Sequence, residues 1–269
     1  MRVGVKPGQW GWSFEQLRQA WQAAEACGFS LLSCFDHASA APANLPAWDA
    51  PSLLSVMAAN TVSIRLAVHV VNTSLRNPFL LAGQLAVAQA ASGGRLEVGL
   101  GAGSGFARLD HRAIGVPFPP FSERVARLEA CCRILPRLWR GASVDDEQLR
   151  LKGASLGPQG LDPPPIIVGG KSERVIDIAA RYADGWNADE PDPDKFGELV
   201  RRLDEACQRV GRERPIEKQV QIFLTRIDLS SIRERLERLR EQGTETVVFV
   251  IDGLPPDPQA VTRLAAAVL

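Results

Sequence analysis

The sequence has no apolar run approaching the roughly 20 residues that a membrane-spanning helix needs. Its first residues, MRVGVKPGQW, lack the apolar stretch of a secretory signal. There is no basic block either. Lys+Arg and Asp+Glu both total 31, for a formal net charge of zero, so neither nucleic acid nor an anionic membrane is expected as a partner. The five cysteines, Cys27, Cys34, Cys131, Cys132 and Cys207, are odd in number and form no CxxC, which argues against a disulfide framework or a zinc site. They read as reduced thiols of a cytoplasmic protein, most of them small core residues. What remains, 45% hydrophobic and 23% charged over 269 residues, is ordinary globular composition. Arginine far outnumbers lysine and alanine is abundant, a bias of GC-rich genomes.

One rhythm repeats along the chain. Apolar, β-rich runs fall at Arg2–Lys6, Leu31–Phe35, Ile64–Val71, Leu96–Leu100, Ile166–Val168, Gly185–Asn187, Lys218–Leu224 and Thr246–Ile251. Helical patterns follow them. The first opens at Ser13, a good N-cap, places Phe14, Leu17, Trp21 and Ala24 on one face and stops at Gly28. Others run over Pro51–Asn60, Pro78–Ser92, Ser122–Trp139, Ser172–Tyr182, Asp194–Val210, Ser230–Gln242 and Pro258–Leu269. The Gly/Pro-rich stretch Ala142–Pro165 reads as an excursion whose LRLKGA forms a hairpin arm. Continuous apolar strands alternating with helices imply a parallel sheet. Eight of them favour a closed (β/α)8 TIM barrel of the α/β class over an open sheet, and no composition break divides residues 1–269 into two domains.

Chemistry in such barrels sits at the C-terminal ends of the strands, which selects the residues to consider. Gly169-Gly170-Lys171-Ser172 follows the fifth run and opens a helix, where free amides and the helix dipole suit an anion such as phosphate. A plain strand–helix turn capped by Ser172 accounts for the motif equally well. Gly99-Leu100-Gly101-Ala102-Gly103 has no dinucleotide-binding spacing. It is either backbone lying flat under a planar ring or tight packing at the barrel mouth. Asp36-His37 ends the second run, and a histidine there is a candidate general acid or base, with Asp36 a candidate to orient its ring. His69 lies on the third run. A metal is not expected, since there is no HxH and no further set of acidic ligands, and Asp36 with Asp189 does not make the carboxylate pair of a barrel glycosidase. His111 reads as a surface loop residue. The aromatics Trp10, Trp48, Phe106 and Trp186 point to an apolar pocket or to core packing.

Six segments together resemble the luciferase-like monooxygenase superfamily of flavin- and deazaflavin-dependent oxidoreductases: GFSLLSCFDH, IRLAVHVVNTSLRNPFLLAGQLA, ASGGRLEVGLGAGSG, the stretch from AIGVPFPPFSERVARLEACCRIL to RLWRG, PPPIIVGGKSER and AARYADGWN. The resemblance implies a barrel that holds coenzyme F420 or FMN at its mouth. In that picture Gly169, Gly170, Lys171 and Ser172 take the cofactor phosphate, while Asp36, His69, Val70, Gly101, Ala102 and Gly103 line the ring site. It also implies a cis peptide between His69 and Val70, and a homodimer. GVPFPP together with the Asp-His pair resembles the F420 branch more closely. The activity implied is hydride transfer between cofactor and a small organic substrate, with His37 the candidate proton donor and acceptor. An FMN-dependent monooxygenase fed by a separate reductase and a non-catalytic flavin-binding barrel are the alternatives. Two positions depart from the family pattern: His69 stands where Gly or Ser is common, and Ser104 where Trp or Glu is common. Ser104 cannot act as the carboxylic acid of the sugar-phosphate dehydrogenase branch, so a sugar phosphate is not expected.

Overall fold

The strand and helix runs close into a barrel in the computed structural model, which describes residues 1–37, 45, 47–157, 160, 162–226, 229–252 and 256–269, with Arg226 described by its backbone alone. The first half comprises β1 (Arg2–Pro7), α1 (Phe14–Ala26), β2 (Leu31–Cys34), α2 (Ala50–Ala59), β3 (Arg65–Asn72), α3 (Pro78–Ala91) and β4 (Leu96–Gly101). After β4 come α4 (Ala107–Ala113), α5 (Phe121–Trp139) and an antiparallel hairpin of β5 (Val144–Asp146) and β6 (Leu151–Ala154). The second half continues with β7 (Ile166–Gly169), α6 (Glu173–Tyr182), β8 (Gly185–Asp189), α7 (Pro193–Arg209), β9 (Glu217–Phe223), α8 (Ile232–Glu241), β10 (Thr246–Ile251) and α9 (Gln259–Val268). Parallel pairing in the order β1-β10-β9-β8-β7-β4-β3-β2 closes the sheet on itself. Among the described residues no helix is long and apolar enough to cross a membrane.

Local chemistry sets the boundaries. Ser13 caps α1 in a reciprocal capping box with Gln16. Asn77 accepts from the amides of Phe79 and Leu80 ahead of Pro78, which starts α3. Cys34, Cys131 and Cys132 are buried, and Cys27 and Cys207 half-buried; burial pushes the Cys131 thiol up to about 12, so it stays protonated and inert. Two expectations need correction. Phe14 lies at the rim of the α1 face, 39% exposed, because it meets only the edges of Trp21 and Trp48. The segment before GVPFPPF carries helix α4, too short for its periodicity to stand out.

Side chains alternate across each strand, and the helices cover the outer face with the main apolar cluster. The inner face is layered. Near the strand starts, Glu97 accepts from Arg2 (3.0 Å), Arg65 (2.7 Å) and Gln219 (3.2 Å), and Glu217 and Thr246 complete the plug. Above it Leu31, Ala67 and Val248 form a thin apolar layer. Lys6, Ser33, His69, Asn187 and Gln221 form a buried polar layer nearer the mouth.

The His69–Val70 bond is cis, as the resemblance implied, and the β3–β4 register slips between Val68 and Val71. The bulge turns Val70 toward β4 and β7. A Cβ added at Gly99 or Gly169 would lie 2.9 or 2.6 Å from a Val70 methyl, and one at Gly101 closer still. Gly101 and Gly169 therefore make room for Val70, and Gly99 for the Val68 carbonyl as well.

Candidate functional site

A cavity of about 370 Å3 opens at the C-terminal mouth of the barrel. All eleven residues singled out for the site line it: Asp36, His37, His69, Val70, Gly101, Ala102, Gly103, Gly169, Gly170, Lys171 and Ser172. The αβ architecture explains the convergence, since each lies at or just beyond the end of β2, β3, β4 or β7.

At the α6 end, Ser172 occupies the N-cap with extended backbone but makes no side-chain capping bond. Its Oγ is buried and has no partner among the described residues, as are Nδ2 of Asn187 and Nδ2 of Asn72, both residues of the cavity wall. His69 Nε2 is a fourth such atom on this wall; buried polar atoms are nearly always paired, so these orphans, together with a helix N-terminus, fit a ligand carrying phosphate and amide or carbonyl groups. Gly170 is held from both sides, its amide donating to Asn187 O (3.0 Å) and its carbonyl accepting from Trp186 Nε1 (2.8 Å). Its φ of +144° favours glycine. Lys171 is exposed and donates to the carbonyl of Asp189 at 2.8 Å.

His37 is not oriented by Asp36. Its Nδ1 lies 2.9 Å from Oδ2 of Asp110 on α4, and its ring is bordered by Trp10, Phe35 and Phe106 at 5.5 to 5.7 Å. Asp36 instead forms a buried ion pair with Arg76, whose Nε donates at 2.9 Å, and accepts from the Asn72 amide. That pair holds the β3–α3 loop against β2, and the two carboxylates Asp36 and Asp49 raise the Arg76 pKa. Adjacent residues point apart, so Asp36 and His37 face different partners. Replacing Asp110 by Asn keeps the shape and removes the carboxylate that fixes the imidazole. We expect the His37 ring to lose its fixed orientation, read as a shifted imidazole signal by NMR at a nearly unchanged melting temperature; an unmoved signal would show that Asp110 does not hold the ring.

One further expectation is corrected. His111 is 1% exposed, clamped between Pro117 O (2.9 Å) and Ser74 Oγ (3.0 Å), because GVPFPPF folds back over α4. Of the four aromatics left open between pocket and core, Trp10 and Phe106 line a pocket. Trp186 is fully buried against Phe196, and Trp48 packs on the core with its indole donating to Trp12 O. Much of the Ala38–Trp48 loop lies outside the described residues. Burial beside Lys6 drives the His69 pKa down to about 3, so this imidazole is neutral, with Nδ1 bonded to Ser33 Oγ at 2.9 Å.

The chain is a closed parallel (β/α)8 barrel with a helix N-terminus and a histidine–aspartate contact at one mouth. The model of the luciferase-like monooxygenase family matches residues 1–246, and the chain belongs to that family. It is 26% identical over 209 residues to a 5,10-methylenetetrahydromethanopterin reductase of Archaeoglobus fulgidus, covering 76% of this chain and 59% of that one. It is 33% identical over 196 residues to an F420-dependent glucose-6-phosphate dehydrogenase of Mycobacterium avium, covering 69% and 56%. The chain thus spans little more than half of these relatives. An F420-dependent secondary alcohol dehydrogenase, solved in complex with an F420-acetone adduct, shares the fold with a TM-score of 0.86 at 14% identity, over 99% of this chain and 98% of that one.

Proposed function

We propose that this protein is an F420-dependent oxidoreductase that transfers a hydride between the cofactor and a small organic substrate, with catalytic His37. The observation that carries it is the cavity itself, where Ser172 Oγ, Asn72 Nδ2 and Asn187 Nδ2 stand unpartnered around the start of α6. The F420 dependence of relatives supports this cofactor; FMN, with a monooxygenase activity, is the second reading, supported by membership of the luciferase-like monooxygenase family. The proposal extends to one domain over residues 1–269, a homodimer, a cytoplasmic location and, with FMN, a separate reductase.

When bound, the cofactor supplies a ring that carries hydride. The protein supplies the rest. Lys171 and Ser172 would hold the phosphate at the α6 N-terminus, with Gly170 leaving room for its approach. The side chain of Val70, turned by the bulge, and the glycine backbone at 101 and 103 would form the floor under the ring. His37 carries its proton on Nδ1 toward Asp110, which only accepts, and leaves Nε2 for proton exchange with substrate. Trp10, Phe35 and Phe106 exclude water around it.

Titration with F420 and with FMN, followed by absorbance, tests the cofactor. Tight binding of F420 and weak binding of FMN is the expected result, and failure of both to bind overturns the reading. Ser172→Ala is expected to weaken F420 about tenfold, the value of one bond to a charged phosphate, at unchanged melting temperature. Gly170 is a poorer probe, because a Cβ there meets Val175 at 3.0 Å on strained backbone.

A further inference from the structure

A second chamber of about 510 Å3 adjoins the cavity and shares His37, His69, Phe35, Ser104, Asp189 and Gln221 with it. Its walls are aromatic, from Trp10, Phe35, Phe106 and Phe223, and Lys6 of β1 is its basic residue among those described. Lys6 is 3% exposed. Its ammonium lies 5.9 Å from the ring centroids of both Phe35 and Phe223, and it donates to two neutral acceptors, the His69 carbonyl at 3.1 Å and Gln221 Oε1. An ammonium has three N–H donors, and among the described residues the third has no acceptor. A charge is expensive to bury without a counter-ion or a full set of hydrogen bonds, and a strand interior offers cheaper ways to fill space. Nothing in the cofactor reading uses this group.

We propose that this chamber is the substrate site and that Lys6 is the donor that holds the substrate's oxygen, the substrate being an uncharged, apolar or aromatic compound that carries a carbonyl or hydroxyl. The aromatic walls select the apolar body. Asp189 and Asp252 also line the chamber, which disfavours a ligand carboxylate. The ammonium would stabilise negative charge developing on the oxygen as hydride from the reduced cofactor adds to the carbonyl carbon, and His37, entering the step as the imidazolium with Nδ1–H held by Asp110, would give its Nε2 proton to complete the alcohol and be left neutral. In the oxidative direction the same groups act in reverse. The groups facing Lys6 are Cys34 on β2, His69 on β3, Asp189 at the end of β8, Gln221 on β9 and Asp252 after β10. Burial lowers its pKa to about 8 while the carboxylates oppose the shift. Ketone binding should therefore be strongest below pH 8 and weaken as the ammonium is lost above it.

The inference rests on the adjoining cavity being the cofactor's, and the test separates the two. Wild type and Lys6→Met are each titrated with oxidised F420, and then, loaded with it, with acetophenone, with α-methylstyrene (the same shape without the oxygen) and with benzoate, by ligand-observed NMR. Wild type should bind acetophenone about tenfold more tightly than α-methylstyrene and than benzoate, the discrimination expected of a charged hydrogen bond. Lys6→Met should keep the F420 Kd within about twofold and lose the preference. Equal affinity for ketone and alkene in wild type, a preference for benzoate, no binding of any probe, or a preference that survives in Lys6→Met overturns the assignment. The wild-type comparison stands even if the variant does not fold. If F420 fails to bind while ketone discrimination persists without it, the cofactor reading falls and the Lys6 site stands.

Discussion

His37→Ala is expected to cut the hydride-transfer rate per folded molecule at least about tenfold, while thermal stability and cofactor affinity stay nearly intact. His37 lies just past β2, at the barrel end where chemistry is placed, and it lines both the cofactor-sized cavity and the chamber beside it. The Asp110 contact at 2.9 Å supplies what a general acid–base histidine needs, a fixed ring orientation and one committed tautomer. Positioned acid–base groups contribute about 10²- to 10⁴-fold; the smaller loss expected of His37→Ala allows for water entering the space the ring leaves. The side chain is 24% exposed, and truncation removes ring contacts with Trp10, Phe35 and Phe106, so the stability loss should be about 1 kcal/mol. Stopped-flow bleaching of the reduced cofactor, read beside a melting curve, decides it. A purely structural histidine gives the opposite pair of results, a lower melting temperature and an unchanged rate per folded molecule, and that outcome would remove His37 from the mechanism.

The barrel was legible in the sequence because its signals are local. Gly-Gly-Lys-Ser between an apolar run and an amphipathic helix announces a strand–helix turn without any tertiary knowledge, and the capping residues Ser13 and Asn77 announce where helices begin. The partners of the site were not legible. Asp110 meets His37 across 73 positions, from a helix of only 7 residues. Arg76 takes Asp36 across 40 positions, leaving no carboxylate for the neighbouring histidine. Lys6 was missed for a different reason. In RVGVK the period of two is plain, but it does not say which face is inside, and the usual guide, apolar inward, fails for this strand. Both faces of a barrel strand are buried, and in this barrel the interior positions Arg2, Gly4 and Lys6 are the polar or small ones. A lysine within an apolar strand is the signal that would have found it. The glycines of GLGAG were visible, but their neighbours, the Val68 carbonyl, the bulged Val70 and the Asn72 side chain, lie on another strand.

Removing the Glu97 carboxylate should weaken the fold by about 3 kcal/mol. Glu97 is 1% exposed and gathers donors from three strands, Arg2 on β1, Arg65 on β3 and Gln219 on β9. Through Arg2 and Gln219 it is joined to Glu217 and Thr246, so the plug ties together β1, β3, β4, β9 and β10 at the end of the barrel opposite the site. Taking one partner from a buried ion pair costs about 3–5 kcal/mol. The side chains of Arg2 and Arg65 are 33% and 38% exposed and will partly rehydrate, which places Glu97→Ala near the lower end, about 3 kcal/mol. In a chain of this size that corresponds to a fall in Tm on the order of 6–10 °C. Glu97→Gln, which keeps an acceptor for the guanidinium groups but not the charge, should lose about half as much. Urea unfolding of the three proteins measures the effect directly. Because the plug lies far from the mouth, cofactor affinity of the folded variants should match wild type; a loss of affinity without a loss of stability would show that Glu97 acts on the site and not on barrel closure.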